Sequence, residues 1–143
     1  MASRMYSLAK QSLLSQSPSI DLDTDTIKIA LVGSGYAPNT ATNGDQYYSV
    51  IGTHAQGTPQ TLGSKTVTGG TFDAADVTFT AVATNANQIT QLVIYKDTGT
   101  ASNSPLICVI DSASAGLPIT PNGGDITVSF DNGSNKIFRL ADV

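Results

Sequence analysis

Two stretches, Gln91-Leu92-Val93-Ile94-Tyr95-Lys96 and Leu106-Ile107-Cys108-Val109-Ile110-Asp111, decide the fold. Each is apolar at consecutive positions rather than at every second one. A strand with only one buried face alternates apolar and polar residues, whereas a strand covered on both faces does not. Both therefore read as interior strands of a sheet covered on two sides. The polar loop Asp97 to Ser104 joins them as a hairpin.

The same logic extends outward. Ile27, Ile29 and Leu31 alternate with Lys28 and Ala30, so Ile27 to Val32 is a further strand. Gly33 to Asn39 turns the chain, Gln46 to Ile51 is short and ambiguous, and Gly52 to Ser64 reads as a polar loop. Lys65 to Thr68 and Asp76 to Val82 read as strands around a turn at Gly69-Gly70. Ile126, Val128 and Phe130 alternate with Thr127 and Ser129. Asp131 to Asn135 then turns the chain into Ile137 to Leu140, which reads as a second hairpin. Only Tyr6 to Leu14 has helical spacing, with Lys10 and Gln11 turned away, and it must end before Pro18. Short strands with no helices between them predict a mainly β chain. The expected architecture is an antiparallel β-sandwich or barrel-like domain with a short N-terminal helix. Residues 1–22 are expected to form a helical arm and 23–143 a single β-sandwich-like domain.

Composition narrows the function classes. Charged residues make up 13% of the 143 positions, about half the ~25% of an ordinary soluble domain. The polar surface must be built from Ser, Thr, Asn, Gln and Gly, which lose little hydration when covered by another protein. Every acidic residue is Asp, a turn and cap former, and the net charge is -4. The seven basic residues are scattered from Arg4 to Arg139 without a cluster, so nucleic acid is not an expected partner. No apolar run approaches the ~20 residues of a membrane span, so no membrane association is expected. Met1 to Lys10 lacks the pattern of a secretion signal.

The chemistry-bearing residues do not assemble into a site. His54 stands alone in its Gly-rich segment and reads as a solvated loop residue. Cys108 lies inside an apolar strand and reads as buried packing rather than a nucleophile. A single cysteine permits no intrachain disulfide. Asp21, Asp23 and Asp25 alternate as in a calcium loop. Such a loop then needs Gly at its sixth position and Glu at its twelfth, where this chain has Thr26 and Val32, so capping and turn formation is the expected role. Gly33-Ser34-Gly35 lacks the third glycine and the helix of a dinucleotide fingerprint. Asp73 and Asp76 could in principle serve as a carboxylate pair, but any Asp-rich turn offers one. The expectation is a protein that is not an enzyme and needs neither metal nor cofactor.

Several segments, in order, carry a family likeness. They are Ile27-Lys28-Ile29-Ala30-Leu31-Val32 with Ser34-Gly35-Tyr36-Ala37-Pro38-Asn39, then Asp45-Gln46-Tyr47-Tyr48-Ser49, then Phe72-Asp73-Ala74-Ala75-Asp76-Val77-Thr78-Phe79. Leu92-Val93-Ile94-Tyr95-Lys96-Asp97-Thr98-Gly99 with Pro105-Leu106-Ile107 is the clearest, and Ile126–Phe130 with Phe138-Arg139-Leu140 closes the series. Together they resemble a family of small virion structural proteins of tailed bacteriophages, similar to capsid cement, or decoration, proteins. Phe79 stands where that family's pattern has Trp. The resemblance implies a non-enzymatic protein on the capsid surface, made in the host cytoplasm. Its partners would be the major capsid protein and copies of itself, with a trimer preferred. A tail, neck or fibre component is the alternative, and a carbohydrate-binding β-sandwich module a remoter one.

The arm is the expected partner contact. Met5, Tyr6, Leu8 and Leu13 spread around the helix more widely than one narrow stripe requires. A lone helix of this length is marginal in water, so something must pack on it. Removing the first ten residues is accordingly expected to weaken attachment more than folding.

Overall fold

The computed structural model describes residues 4–111 and 116–140. In chain order the elements are β1 (Arg4–Met5), α1 (Ser7–Ser15), β2 (Ile27–Gly33), β3 (Ala55–Thr61), β4 (Thr66–Thr68), β5 (Thr71–Asp73), β6 (Val77–Phe79), β7 (Ile89–Lys96), β8 (Leu106–Ile110), β9 (Ile126–Val128) and β10 (Phe138–Arg139). Short 3-10 turns occupy Tyr48–Val50, Gly52–His54 and Ala101–Asn103. The protein is mainly β, its strand pairs are antiparallel, and it has one short helix near the N-terminus, as expected from the sequence.

The largest sheet has the order β1-β8-β7-β2-β3, so the two deciding stretches pair with each other and β7 occupies the middle. Strands β7 and β8 are apolar on both faces because both faces are covered. On one face Ile29, Leu31, Leu92, Ile94 and Cys108 meet Phe72, Val77, Phe79 and Val128 from two smaller sheets, β10-β5-β4 and β6-β9. On the other face Ala30, Val32, Val93, Tyr95 and Val109 meet Tyr6, Ala9, Tyr36 and Ile51 from the N-terminal segment and loops. Register shifts between Ile94 and Tyr95, opposite the step from Leu106 to Cys108, leave Ile107 as an extra residue on β8.

Three sequence expectations are corrected. Gly52 to Ser64 is not a loop, because β3 runs through it as the outer strand beside β2. Its edge position needs only one strongly buried side chain, Gln56, and tolerates Pro59. The turn at Gly69-Gly70 joins β4 to β5, not to β6. Both glycines have positive φ, 57° and 77°, which a two-residue hairpin turn demands and a side chain would strain. The strands flanking Asp131 to Asn135 do not form a hairpin: β9 pairs with β6 and β10 with β5.

The arm is also more integrated than residues 1–22 implied. Arg4 pairs with Val109 and Met5 with Cys108, which makes β1 an edge strand of the main sheet. The Tyr6 N–H donates to the Ile107 carbonyl at 3.1 Å, and the Arg4 guanidinium meets the Asp111 carboxylate at 3.1 Å. Residues 1–3 of that arm lie outside the described residues.

Candidate partner-contact surface

The segment from β1 through α1 packs against β8 and divides its side chains between the two cores. Tyr6 and Ala9 join the second core, while Met5 and Leu13 pack partly against the first. Ser12 faces inward too and satisfies its hydroxyl by donating to the Leu8 carbonyl at 2.9 Å. Gln16 closes the helix in a left-handed conformation, its N–H donating to the Ser12 carbonyl at 2.8 Å.

The four residues singled out from the sequence separate accordingly. Tyr6 is fully buried and is corrected from a partner contact to a core residue. Its hydroxyl donates to the Tyr36 hydroxyl at 2.8 Å, which in turn donates to the Asp45 carboxylate at 2.7 Å. The Asn39 N–H donates to the same Asp45 oxygen at 3.0 Å. Burial raises the ionisation of both tyrosines well above the usual phenol range. Met5, Leu8 and Leu13 are half-buried. Removing residues 1–10 would therefore strip β1 from its sheet and Tyr6 from its core. The truncation is expected to cost folding as well as attachment, contrary to the reading from sequence.

Sequence reasoning missed the most exposed apolar side chain. Leu14 is 89% exposed on the last turn of the helix, followed by Leu140, Val67 and Val50 at about half exposure. The helical reading of Tyr6 to Leu14 does not separate Leu14 from Leu13. One step along a helix rotates by about 100°, and only Leu13 reaches the core. Next to it lies a shallow depression of about 360 Å3, lined by Leu13, Gln16, Ile20, Asp21, Leu22, Asp23 and Val67.

The acidic run does not gather into one cluster. The Asp25 carboxylate pairs with Lys96 at 2.9 Å and accepts the Asp21 N–H at 2.8 Å, which fixes a turn. Asp21 and Asp23 bond to each other: the bond from Asp23 holds Asp21 below the usual carboxylate range, and the same bond raises Asp23. Among the described residues no group of three His, Cys, Asp or Glu is placed to hold a metal ion. Lys65 donates to the Asp25 carbonyl, and Lys28 pairs with Asp97 at 2.6 Å, which holds that carboxyl low.

The isolated chemical groups are occupied structurally. Cys108 is buried among aliphatic side chains, and burial pushes its thiol up to about 12, so at neutral pH it is protonated and a poor nucleophile. The His54 ring packs against Gly35, where a Cβ would come within 2.7 Å of the imidazole. Tyr48 stacks on Tyr95 with ring centroids 3.9 Å apart, but Tyr95 is buried. Every aromatic ring of the chain is buried or half-buried.

Among the described residues no helix is long and apolar enough to cross a membrane. Fold and surface together define a mainly β, antiparallel domain whose open apolar residues include the end of its N-terminal helix. Neither the models of known protein families nor the curated proteins include a match to the chain.

Proposed function

We propose that the protein is a non-enzymatic structural component of a tailed-bacteriophage virion, a capsid cement protein that bridges neighbouring major-capsid subunits. The observation that carries this reading is the nature of its surface. Only 13% of residues are charged, and Leu14 stands 89% exposed on the helix whose Leu13 lines a surface depression. Covering such a surface costs little dehydration and gains apolar burial. A sheet packed on both faces is stiff, which a bridge between subunits requires. The ordered motifs from Ile27 to Leu140 resemble those of phage virion proteins and supply the context. Copies of the chain would share the lattice with the major capsid protein as a symmetric oligomer, a trimer in the preferred arrangement. Many copies on one lattice multiply a modest contact by avidity. Binding only the expanded lattice would stabilise it by linkage.

The test is mass spectrometry of purified DNA-filled heads that lack tails, together with thermal release of DNA from heads made without the protein. The expected result is the protein on the heads, and DNA loss at a lower temperature in its absence. Detection on tails alone, with unchanged DNA retention, overturns the cement reading and puts a tail, neck or fibre component in its place.

A further inference from the structure

The sandwich is unfinished along one edge. Val67 on β4 lies directly opposite Phe72 on β5, so the two side chains share a face of their sheet. Phe72 is 1% exposed in the first core, yet Val67 is 47% exposed. The core therefore ends between neighbouring strands. Past Val67 lies the depression of about 360 Å3, with Leu13, Ile20 and Leu22 in its lining.

The backbone is open at the same place. β4 ends the order β10-β5-β4, and among the described residues no backbone group outside β5 bonds to Thr66–Thr68. In an antiparallel hairpin, residue pairs that exchange hydrogen bonds alternate with pairs that do not. The two-residue turn at Gly69-Gly70 makes Thr68 and Thr71 a bonded pair. Thr66 and Asp73 are the next bonded pair, and Val67 with Phe72 is the unbonded one. The N–H and C=O of Val67 consequently point away from β5.

We propose that this edge receives an extended segment of another polypeptide as an added strand beside β4. An apolar side chain of the segment sits over Leu13, Ile20 and Leu22, and a Lys or Arg meets Asp21 and Asp23. The chemistry chooses the occupant. An outward N–H and C=O on one residue match another main chain. The depression's lining contains no aromatic ring and only one amide side chain, Gln16, which is a poor set for a small ligand. Its two carboxylates, Asp23 already near Lys65, disfavour an anion and favour a cationic side chain. A second copy pairing through its own β4 would bring Lys65, but that amine is already engaged by the Asp25 carbonyl. The inference rests on the virion reading only for which chain supplies the segment.

The probe is a synthetic capped peptide, Thr-Val-Thr-Leu-Thr-Lys, titrated into the isotope-labelled full chain and followed by NMR. Expected are shifts at the Val67 amide and at the methyls of Leu13 and Leu22. Val67→Pro removes an outward N–H and exchanges the Val67 side chain for a ring, which an edge strand tolerates. It should weaken binding at least about tenfold, the scale of one lost backbone hydrogen bond with its partner left unpaired. The peptide N-methylated at alternate amides tests the backbone bond separately and should show the same loss, whether or not that variant folds. Replacing Asp21 and Asp23 together by Asn should weaken this peptide but not one ending in Gln. Absence of shifts, or methyl shifts that survive both Val67→Pro and N-methylation, overturns strand addition. Concentration-dependent shifts at Val67 without peptide make a second copy the occupant and overturn the choice of partner. Peptide binding by a protein that is absent from heads would leave this inference standing and remove the virion reading.

Discussion

The two faces of the main sheet are closed by different means. One face is closed by regular strands, and its core is aliphatic with Phe72 and Phe79 at its centre. The other is closed by the N-terminal segment and loops, and four tyrosines, Tyr6, Tyr36, Tyr48 and Tyr95, gather there. Strands bring their own hydrogen bonds to the interface, so their side chains are free to be purely apolar. Loops and a single helix carry unpaired polar groups, and phenols serve them because one ring supplies both apolar area and a hydroxyl. The Tyr6–Tyr36–Asp45 chain and the Gln91 amide donating to the Tyr36 carbonyl at 2.7 Å tie the irregular layer to the sheet. The first face is held mainly by packing, with Lys96 on β7 latching Ser19 and Asp25 at its margin, and the second by packing plus buried polar latches.

The largest expected effect tests the first face. Phe72→Ala should cost about 3–5 kcal/mol, the usual range for deleting a buried aromatic ring. Phe72 packs on Phe138 with centroids 5.5 Å apart and anchors β10 through the sheet. Urea denaturation would read this as a lowered midpoint. A loss below about 1 kcal/mol would mean that the site collapses around the gap, and that the strand-closed face is the softer one.

The second face is tested by removing hydroxyls without removing rings. Tyr36 both accepts from Tyr6 and donates to Asp45. Tyr36→Phe should cost about 1–3 kcal/mol, because the buried Tyr6 hydroxyl loses its acceptor. Tyr6→Phe removes only the end of the chain and should cost about 0.5–1.5 kcal/mol. Equal effects in the two variants would show that the hydroxyls do not act as a relay of bonds.

Alkali should also separate the faces. Tyr6, Tyr36, Tyr48 and Tyr95 all ionise above their ordinary value of 10.0 in the fold, with burial the first cause. Cys108 is raised from 9.0 to about 12. The unfolded chain sheds these protons first, so stability is fully present below pH 9 and falls as pH rises beyond it. Denaturation midpoints measured from pH 8 to 12 should decline. Cys108→Ala should leave most of that decline in place, since the tyrosines of the second face remain.

Legibility in the sequence follows the same division. Strands β7 and β8 are readable because a strand buried on both faces is apolar at consecutive positions, and β2 because Ile27, Ile29 and Leu31 alternate with Lys28. The partners of β9 and β10 were not readable: alternation in Ile126–Phe130 says which side chains turn inward, but not which distant strand lies alongside. β3 escaped because an edge strand with Gly57 and Pro59 looks like a loop. Of the partner-contact residues, Leu13 reaches the depression while Tyr6 is core. A tyrosine two residues after Arg4 carries no local sign that Tyr36 and Asp45 wait for its hydroxyl.

The smallest expected effect on folding carries the sharpest test of the surface. Tyr6 precedes the first turn of α1 and is fully buried, whereas Leu14 on the last turn is 89% exposed. Leu14→Ser should change folding stability by no more than about 0.5 kcal/mol, as for other surface positions away from caps and cores. Under the proposed cement role, attachment to heads is a separate quantity. A leucine fully covered on binding contributes about 1.5–3 kcal/mol, which is roughly tenfold or more in affinity for each copy. On a lattice contacted at several points such factors compound through avidity, so a single exposed leucine can decide occupancy while leaving the free protein unchanged. The measurement is the number of copies retained on heads after dilution, set against the urea midpoint of the same variant. Unchanged midpoint with lost occupancy places Leu14 in the contact. Unchanged occupancy makes it an ordinary exposed leucine, of the kind every soluble protein carries, and moves the search for the contact to Val67 and the open strand edge.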